Sequence, residues 1–223
     1  MCYIGIMNSV NTVQIYIFRH GETDWNREKR FQGHTDIPLN QKGRLQALEL
    51  RAHVAPLAPE LILSSDLSRA LETAKIVSEG SFWPILVSEA LREARLGAPE
   101  GQLRDDILKI YGEESWQKWL SEDPKYLDFA FPEGESKRQQ RDRALRFLIQ
   151  EITARAELKS LAVSTHGGTL RRLVHHCEGS PAEPIAIPNC SLYHLEFLRL
   201  ENKWIYHGPL HIPESAESVF RSI

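Results

Sequence analysis

Short apolar runs alternate with amphipathic stretches along most of this 223-residue chain. Residues 13–18 read VQIYIF, rich in β-branched and aromatic side chains, which predicts a buried strand. Asn40 stands where an N-cap belongs. The helix after it, from about Gln41, carries Leu45, Leu48 and Ala52 on its expected inner face until Pro56 and Pro59 break the pattern. Residues 61–63 predict a second strand. Asp66 then predicts the cap of a helix with Leu67, Ala70, Ala74 and Val77 inward, and residues 85–87 a third strand.

The texture changes at residues 91–135, where Trp116, Trp119, Tyr126, Phe129 and Phe131 are scattered among charges, Gly and Pro. Short helices and loops are expected there, forming a cap whose aromatic residues build a local core. Ser136 predicts the cap of a long helix to about Ala156, with Ala144, Leu145, Leu148 and Ile152 on its apolar stripe. Residues 161–165 predict a strand, 169–177 a helix, and 192–198 and 204–206 two closing strands joined as an antiparallel hairpin near a sheet edge. The alternation implies an α/β fold: a three-layer sandwich with a mostly parallel central sheet flanked by helices, plus an inserted helical or loop cap lobe. A single domain over residues 1–223 accommodates all of it, with a loosely held tail from about 213.

Composition narrows the function classes. Hydrophobic residues make up 42% and charged residues 26%, ordinary for a soluble globular protein, and the formal net charge is -3. No long basic run marks a nucleic-acid binder. Cys2, Cys177 and Cys190 show no paired spacing, which suits a reducing compartment better than a disulfide framework. The apolar stretch at residues 3–7 is too short for a signal peptide or membrane span, so a cytoplasmic protein without membrane partners is expected; Met7 is an alternative start to Met1.

Candidate chemistry gathers at three strand ends. The first strand runs into Arg19-His20-Gly21-Glu22-Thr23, the second into Ser64-Ser65-Asp66-Leu67-Ser68-Arg69, and a late one into Thr165-His166-Gly167-Gly168. Open α/β sheets bind ligands at the carboxyl ends of their strands, so Arg19, His20, Arg69 and His166 should share one rim. Two guanidiniums can grip a phosphoryl group bidentately. A neutral imidazole can attack phosphorus when its other nitrogen is held as a donor, and a protonated second histidine can contact the same oxygens. Gly21, Gly167 and Gly168 would let backbone N–H groups approach an oxyanion. Each piece alone has a plain structural reading; their convergence favours the chemical one.

These residues carry a resemblance. Arg19-His20-Gly21-Glu22-Thr23 with Trp25-Asn26, residues 31–40, residues 64–74, Leu91-Arg92-Glu93, residues 132–136 and Thr165-His166-Gly167-Gly168 fall in the order seen in the histidine phosphatase superfamily, the phosphoglycerate mutase-like proteins. The resemblance spans residues 13–206. It implies that His20 is the phosphorylated nucleophile and that Arg19, Arg69 and His166 form the phosphate pocket, with Asn26 as a further donor. Glu93 would protonate the leaving oxygen, and Gln32, Gly33 and Gly167 would line the pocket. No metal or cofactor is implied; the partner would be a small phosphorylated metabolite, bound by a monomer or homodimer.

The family holds phosphatases and mutases. Similar glycolytic mutases carry an Arg-Arg pair in the lobe and Thr-Gly-Trp where this chain has Gln32-Gly33-His34. The lobe here has Arg92, Arg95, Arg104, Lys109, Lys118 and Lys125 but no adjacent Arg pair, and the family's usual aromatic stretch after Glu93 reads Leu96-Gly97-Ala98-Pro99-Glu100-Gly101. The expected activity is therefore a metal-independent phosphomonoesterase resembling the alpha-ribazole and broad-specificity phosphatases, with a 2,3-bisphosphoglycerate-dependent mutase as the alternative. A non-catalytic phospholigand-binding module and a metallohydrolase are weaker alternatives: the catalytic set is intact, and His175-His176, being adjacent, leave a helix in different directions.

Overall fold

A computed structural model describes residues 11–213 apart from 184 and 186; the candidate start at Met7, Cys2 and the tail beyond Pro213 lie outside the described residues. Its centre is a mixed six-stranded sheet flanked by helices. Strands β1 (Thr12–Arg19), β2 (Ile62–Ser65), β3 (Ile85–Ser88), β4 (Ser160–Thr165), β5 (Leu192–Leu198) and β6 (Lys203–His211) lie in the order β3-β2-β4-β1-β5-β6. Strands β3, β2, β4 and β1 run parallel; β5 and β6 pair antiparallel, so the closing hairpin is at the edge.

Strand alternation puts a different core on each face. Val13, Ile15, Ile17, Leu63, Leu161 and Val163 pack on one side with Ala144, Leu148 and Ile152 of helix α5 (Lys137–Thr153) and Leu170 and Leu173 of α6 (Gly167–His176). Phe18, Ile62 and Ala162 face the other way, against Ala47, Leu50 and Val54 of α2 (Gln41–Val54) and Ala74 and Val77 of α3 (Ser68–Ser78). The short α1 (Asp24–Arg27) follows the loop after β1, capped by Thr23.

Helix α2 is rotated from the expected register. Leu45 is 61% exposed and Leu48 42%, whereas Gly43, Ala47, Leu50 and Val54 are buried. The cause is backbone contact: a Cβ on Gly43 would lie 2.1 Å from the carbonyl oxygen of Glu22, so the bare face of Gly43 must meet that loop. Residues at its i+4, i+7 and i+11 positions then turn inward with it. Asp66 likewise does not cap α3. Its carboxylate takes the Arg92 guanidinium at 2.8 Å, and the N–H of Ser68 donates instead to Asp36 at 2.8 Å.

Helix α4 (Arg104–Leu120) is interrupted at Gly112, whose φ of 79° and ψ of 160° are non-helical. Ile107, Trp116 and Phe131 form a separate small core, with Phe31, Trp119 and Phe129 against it. The aromatic residues of this region are therefore local packing, apart from Tyr126, which lies under Lys125. Lys137 joins the region to the sandwich: fully buried, its Nζ donates to the carbonyls of Lys118, at 2.7 Å, and Ser121, at the end of α4. Burial pushes this amine down to about 8.

Candidate active site

The parallel strands bring the predicted residues together. β1 ends on Arg19 opposite Thr165 of β4, and β2 lies on the other side of β4, so the chain segments after all three strands share one rim. His20 is buried there, with its ring edge-on to His166 at a centroid separation of 5.1 Å. Arg69 reaches the same place from the first turn of α3 and is fully buried.

Hydrogen bonds fix both histidine tautomers. His20 Nδ1 lies 2.7 Å from the carbonyl oxygen of Gly21; a carbonyl only accepts, so Nδ1 carries the proton and Nε2 keeps its lone pair. Burial, then the charges of Arg69 and Arg19, hold this ring well below the ordinary histidine range, so it is neutral at pH 7. His166 Nδ1 accepts from Arg69 Nε at 3.2 Å, and its Nε2 therefore donates to Ser65 Oγ at 2.9 Å. This ring too is pushed well down, first by burial and next by Arg69. The second histidine is thus a neutral ring with both nitrogens engaged in this structure, in place of the cationic contact expected from the sequence.

The arginines are held by backbone. Arg69 donates to the carbonyls of Gly33 at 2.7 Å and Thr35 at 3.0 Å; Arg19 donates to that of Ile187 at 2.7 Å. Burial lowers each guanidinium to about 10, which leaves both charged at neutral pH. Arg19 Nε is buried without a hydrogen-bond partner, as is Nε2 of Gln32. Buried donors are rarely left unpaired, and two at one rim of fixed positive charge suit an anionic ligand. Asn26 adds a third donor. Its Oδ1 accepts from the Thr23 N–H at 3.2 Å and from Asn189 Nδ2 at 3.1 Å, which sets the amide orientation and leaves Nδ2 outward of these bonds.

Glu93 joins the rim from the segment after the turn at Glu89–Leu91. One carboxylate oxygen accepts from Ala94 N at 2.9 Å and Gln140 Nε2 at 2.6 Å, the other from Gly168 N at 2.8 Å. The segment is pinned in turn by Arg143, which donates to the carbonyls of Ala90 and Glu93, each at 2.8 Å. Gly168 is required by proximity: a Cβ there would stand 2.3 Å from Glu93 Oε1. Its N–H therefore serves Glu93, and that of Gly21 serves Thr73 Oγ1 at 3.1 Å, so neither glycine offers a free oxyanion donor as the sequence suggested. Gly167 opens α6 beside Arg19, 3.4 Å from its Nε when a Cβ is added.

Sequence reasoning missed Gln140, Arg143, Asn189 and Arg171. Gln140 had a signal: it continues the i+4 series of Ala144, Leu148 and Ile152, a polar residue on a buried stripe. Arg171 has a buried Nε without a partner and feels the charge of Glu93; it lines a cavity of about 730 Å³ together with Leu120, Asp123 and Ile185. Asn189, in the loop before β5, carries no local signal of its role.

A sheet of this order with two arginines and two histidines at one rim defines a phosphate-handling α/β enzyme class. The model of the histidine phosphatase superfamily (branch 1) matches residues 15–206, and the chain belongs to that superfamily. A probable phosphoglycerate mutase GpmB of Escherichia fergusonii is 34% identical over 199 residues, covering 88% of this chain and 89% of the relative. Among solved structures, Bacillus stearothermophilus YhfR superposes with a TM-score of 0.77 at 30% identity, covering 90% of this chain and 98% of that one. A mycobacterial glucosyl-3-phosphoglycerate phosphatase does so with a TM-score of 0.75 at 26% identity, covering 88% and 98%. No helix among the described residues is long and apolar enough to cross a membrane.

Proposed function

We propose that the protein hydrolyses phosphomonoesters of small metabolites through a covalent phosphohistidine on His20. The observation that carries this reading is the His20 tautomer: Nδ1–H is spent on the Gly21 carbonyl, leaving an uncharged Nε2 lone pair among fixed cations. Arg19, Arg69 and the Asn26 amide bind the phosphoryl oxygens. Nε2 attacks phosphorus as the ester P–O bond breaks, and Glu93 delivers a proton to the departing alkoxide oxygen. Water then attacks the phosphohistidine, gives a proton to Glu93, and inorganic phosphate leaves with the imidazole restored. Gln140, Gly168 and Arg143 hold Glu93 in line for both steps.

Hydrolysis is favoured over transfer between metabolite hydroxyls by the lobe's own charges. Arg92 is paired with Asp66, Lys109 with Asp106, Lys118 with Glu114 and Lys125 with Asp123, while Arg104 stacks on Trp116. Of the six lobe cations only Arg95 has neither an ion pair nor a ring contact among the described residues, so no pair of free cations is left to form a second clamp on a bisphosphorylated cofactor. The mutase reading is supported by the name of the 34% identical relative.

Aryl phosphate hydrolysis in excess EDTA, combined with rapid-quench trapping of an acid-labile phosphoenzyme, tests the reading. Activity should persist and label should sit on His20; abolition by chelator, or turnover without label in a single-turnover burst, would overturn it. Interconversion of phosphoglycerates faster than phosphate release would establish the mutase instead.

A further inference from the structure

A second cluster lies off the catalytic rim. Glu49 and His53 stand four residues apart on α2, hence on one exposed face, and His211 ends β6 beside them. His53 and His211 stack at 3.9 Å with an interplanar angle of 18°. One ligand atom from each of Glu49, His53 and His211 falls within 4.8 Å of the others. We infer that these three residues form a binding site for a borderline divalent transition-metal ion, zinc foremost, that ties the edge strand β6 to α2.

Three observations support the assignment. First, the donors are unspent. His211 Nε2 is buried without a hydrogen-bond partner, and neither Glu49 nor His53 has a hydrogen bond or ion pair among the described residues. The other stacked pair, His194 and His207, differs on this point: their Nε2 atoms are bound to Gln14 and Glu196. Second, the lysine that lines the same cleft is occupied elsewhere. Lys42 lines the same cleft but lies 2.9 Å from the Glu22 carboxylate. Third, the donor set has the right chemistry. Two imidazoles and one carboxylate suit zinc, nickel or copper, whereas magnesium and calcium demand oxygen ligands.

The geometry needs only side-chain motion. Tetrahedral ligands at zinc bond lengths sit about 3.3 Å apart, and Glu49 and His53, both exposed, can rotate to close the gap. Water would complete the coordination. The site is distinct from the catalytic one but shares an end of the sheet: His211 pairs with Leu192, and Leu192 with Phe18, two residues before His20.

Calorimetric titration of untagged protein with ZnCl2 and, separately, MgCl2 tests the inference, with thermal melting as a second readout. One zinc should bind per chain in the wild type and in His20→Ala, raising the melting temperature. Affinity should fall at least tenfold in His53→Ala and in His211→Gln, and magnesium should do nothing. His53 is exposed, so its replacement does not threaten folding. Zinc binding of equal affinity in His53→Ala, loss of binding in His20→Ala alone, or no binding by the wild type would overturn the assignment.

Discussion

His20 and His166 meet edge to face in a buried rim; His53 and His211 stack near the surface. Both are pairs of neighbouring rings, yet their surroundings select opposite charges. Burial, then the charge of Arg69, keeps both rings of the first pair neutral, and the guanidiniums of Arg69 and Arg19 prepare a place for an anion. Glu49 accompanies the second pair and prepares a place for a cation. An imidazole is a lone pair and an N–H; the charges built around it decide what it is for.

The largest effect should come from breaking the first pair. His20→Ala should cut turnover on the order of 10³-fold or more, because the covalent route is lost; single-turnover assays check this, and retention of wild-type rate would remove His20 as nucleophile. Glu93→Gln should lower kcat by about 10²–10⁴-fold on alkyl phosphates. The loss should be smaller on aryl phosphates, whose leaving groups need little protonation; equal losses on both would argue against proton donation. Gly168→Ala pushes a methyl group into Glu93 Oε1. A displaced carboxylate should cost about 10²-fold in kcat with KM little changed, read from steady-state kinetics.

The comparison can also be sharpened through pH. His20 and His166 titrate well below 6.5 in the folded state. As pH drops below 6.5 the unfolded chain takes up protons that the native rim refuses, so stability should fall there and level off above 6.5. Inorganic phosphate, by pairing with the rim, should flatten that decline; denaturant midpoints between pH 5.5 and 7.5 measure both. The smallest effect is expected at the second pair. Without metal, His53→Ala should alter stability by no more than about 0.5 kcal/mol, since its side chain is exposed.

Much of this was legible in the chain itself. The run at residues 13–18, the capping serine at Ser136 and the stripe of Ala144, Leu148 and Ile152 each obey local rules of periodicity and hydrogen bonding. The motif residues Arg19, His20, Arg69 and His166 sit at strand ends, so parallel pairing alone brings them together. Leu45 and Leu48 look apolar in isolation and predict the wrong inner face for α2, because the helix is turned by the contact of Gly43 with Glu22. Asp66 looked like a cap and became the partner of Arg92.

The sequence by itself determined the layer architecture and the gathering of Arg19, His20, Arg69 and His166 at one rim, since both follow from local pattern and strand direction. Only the tertiary structure decided which nitrogen of His20 is free, which atoms hold Glu93, and that His211 closes on Glu49 and His53. Those depend on contacts between residues far apart in the chain, and local periodicity carries no record of them.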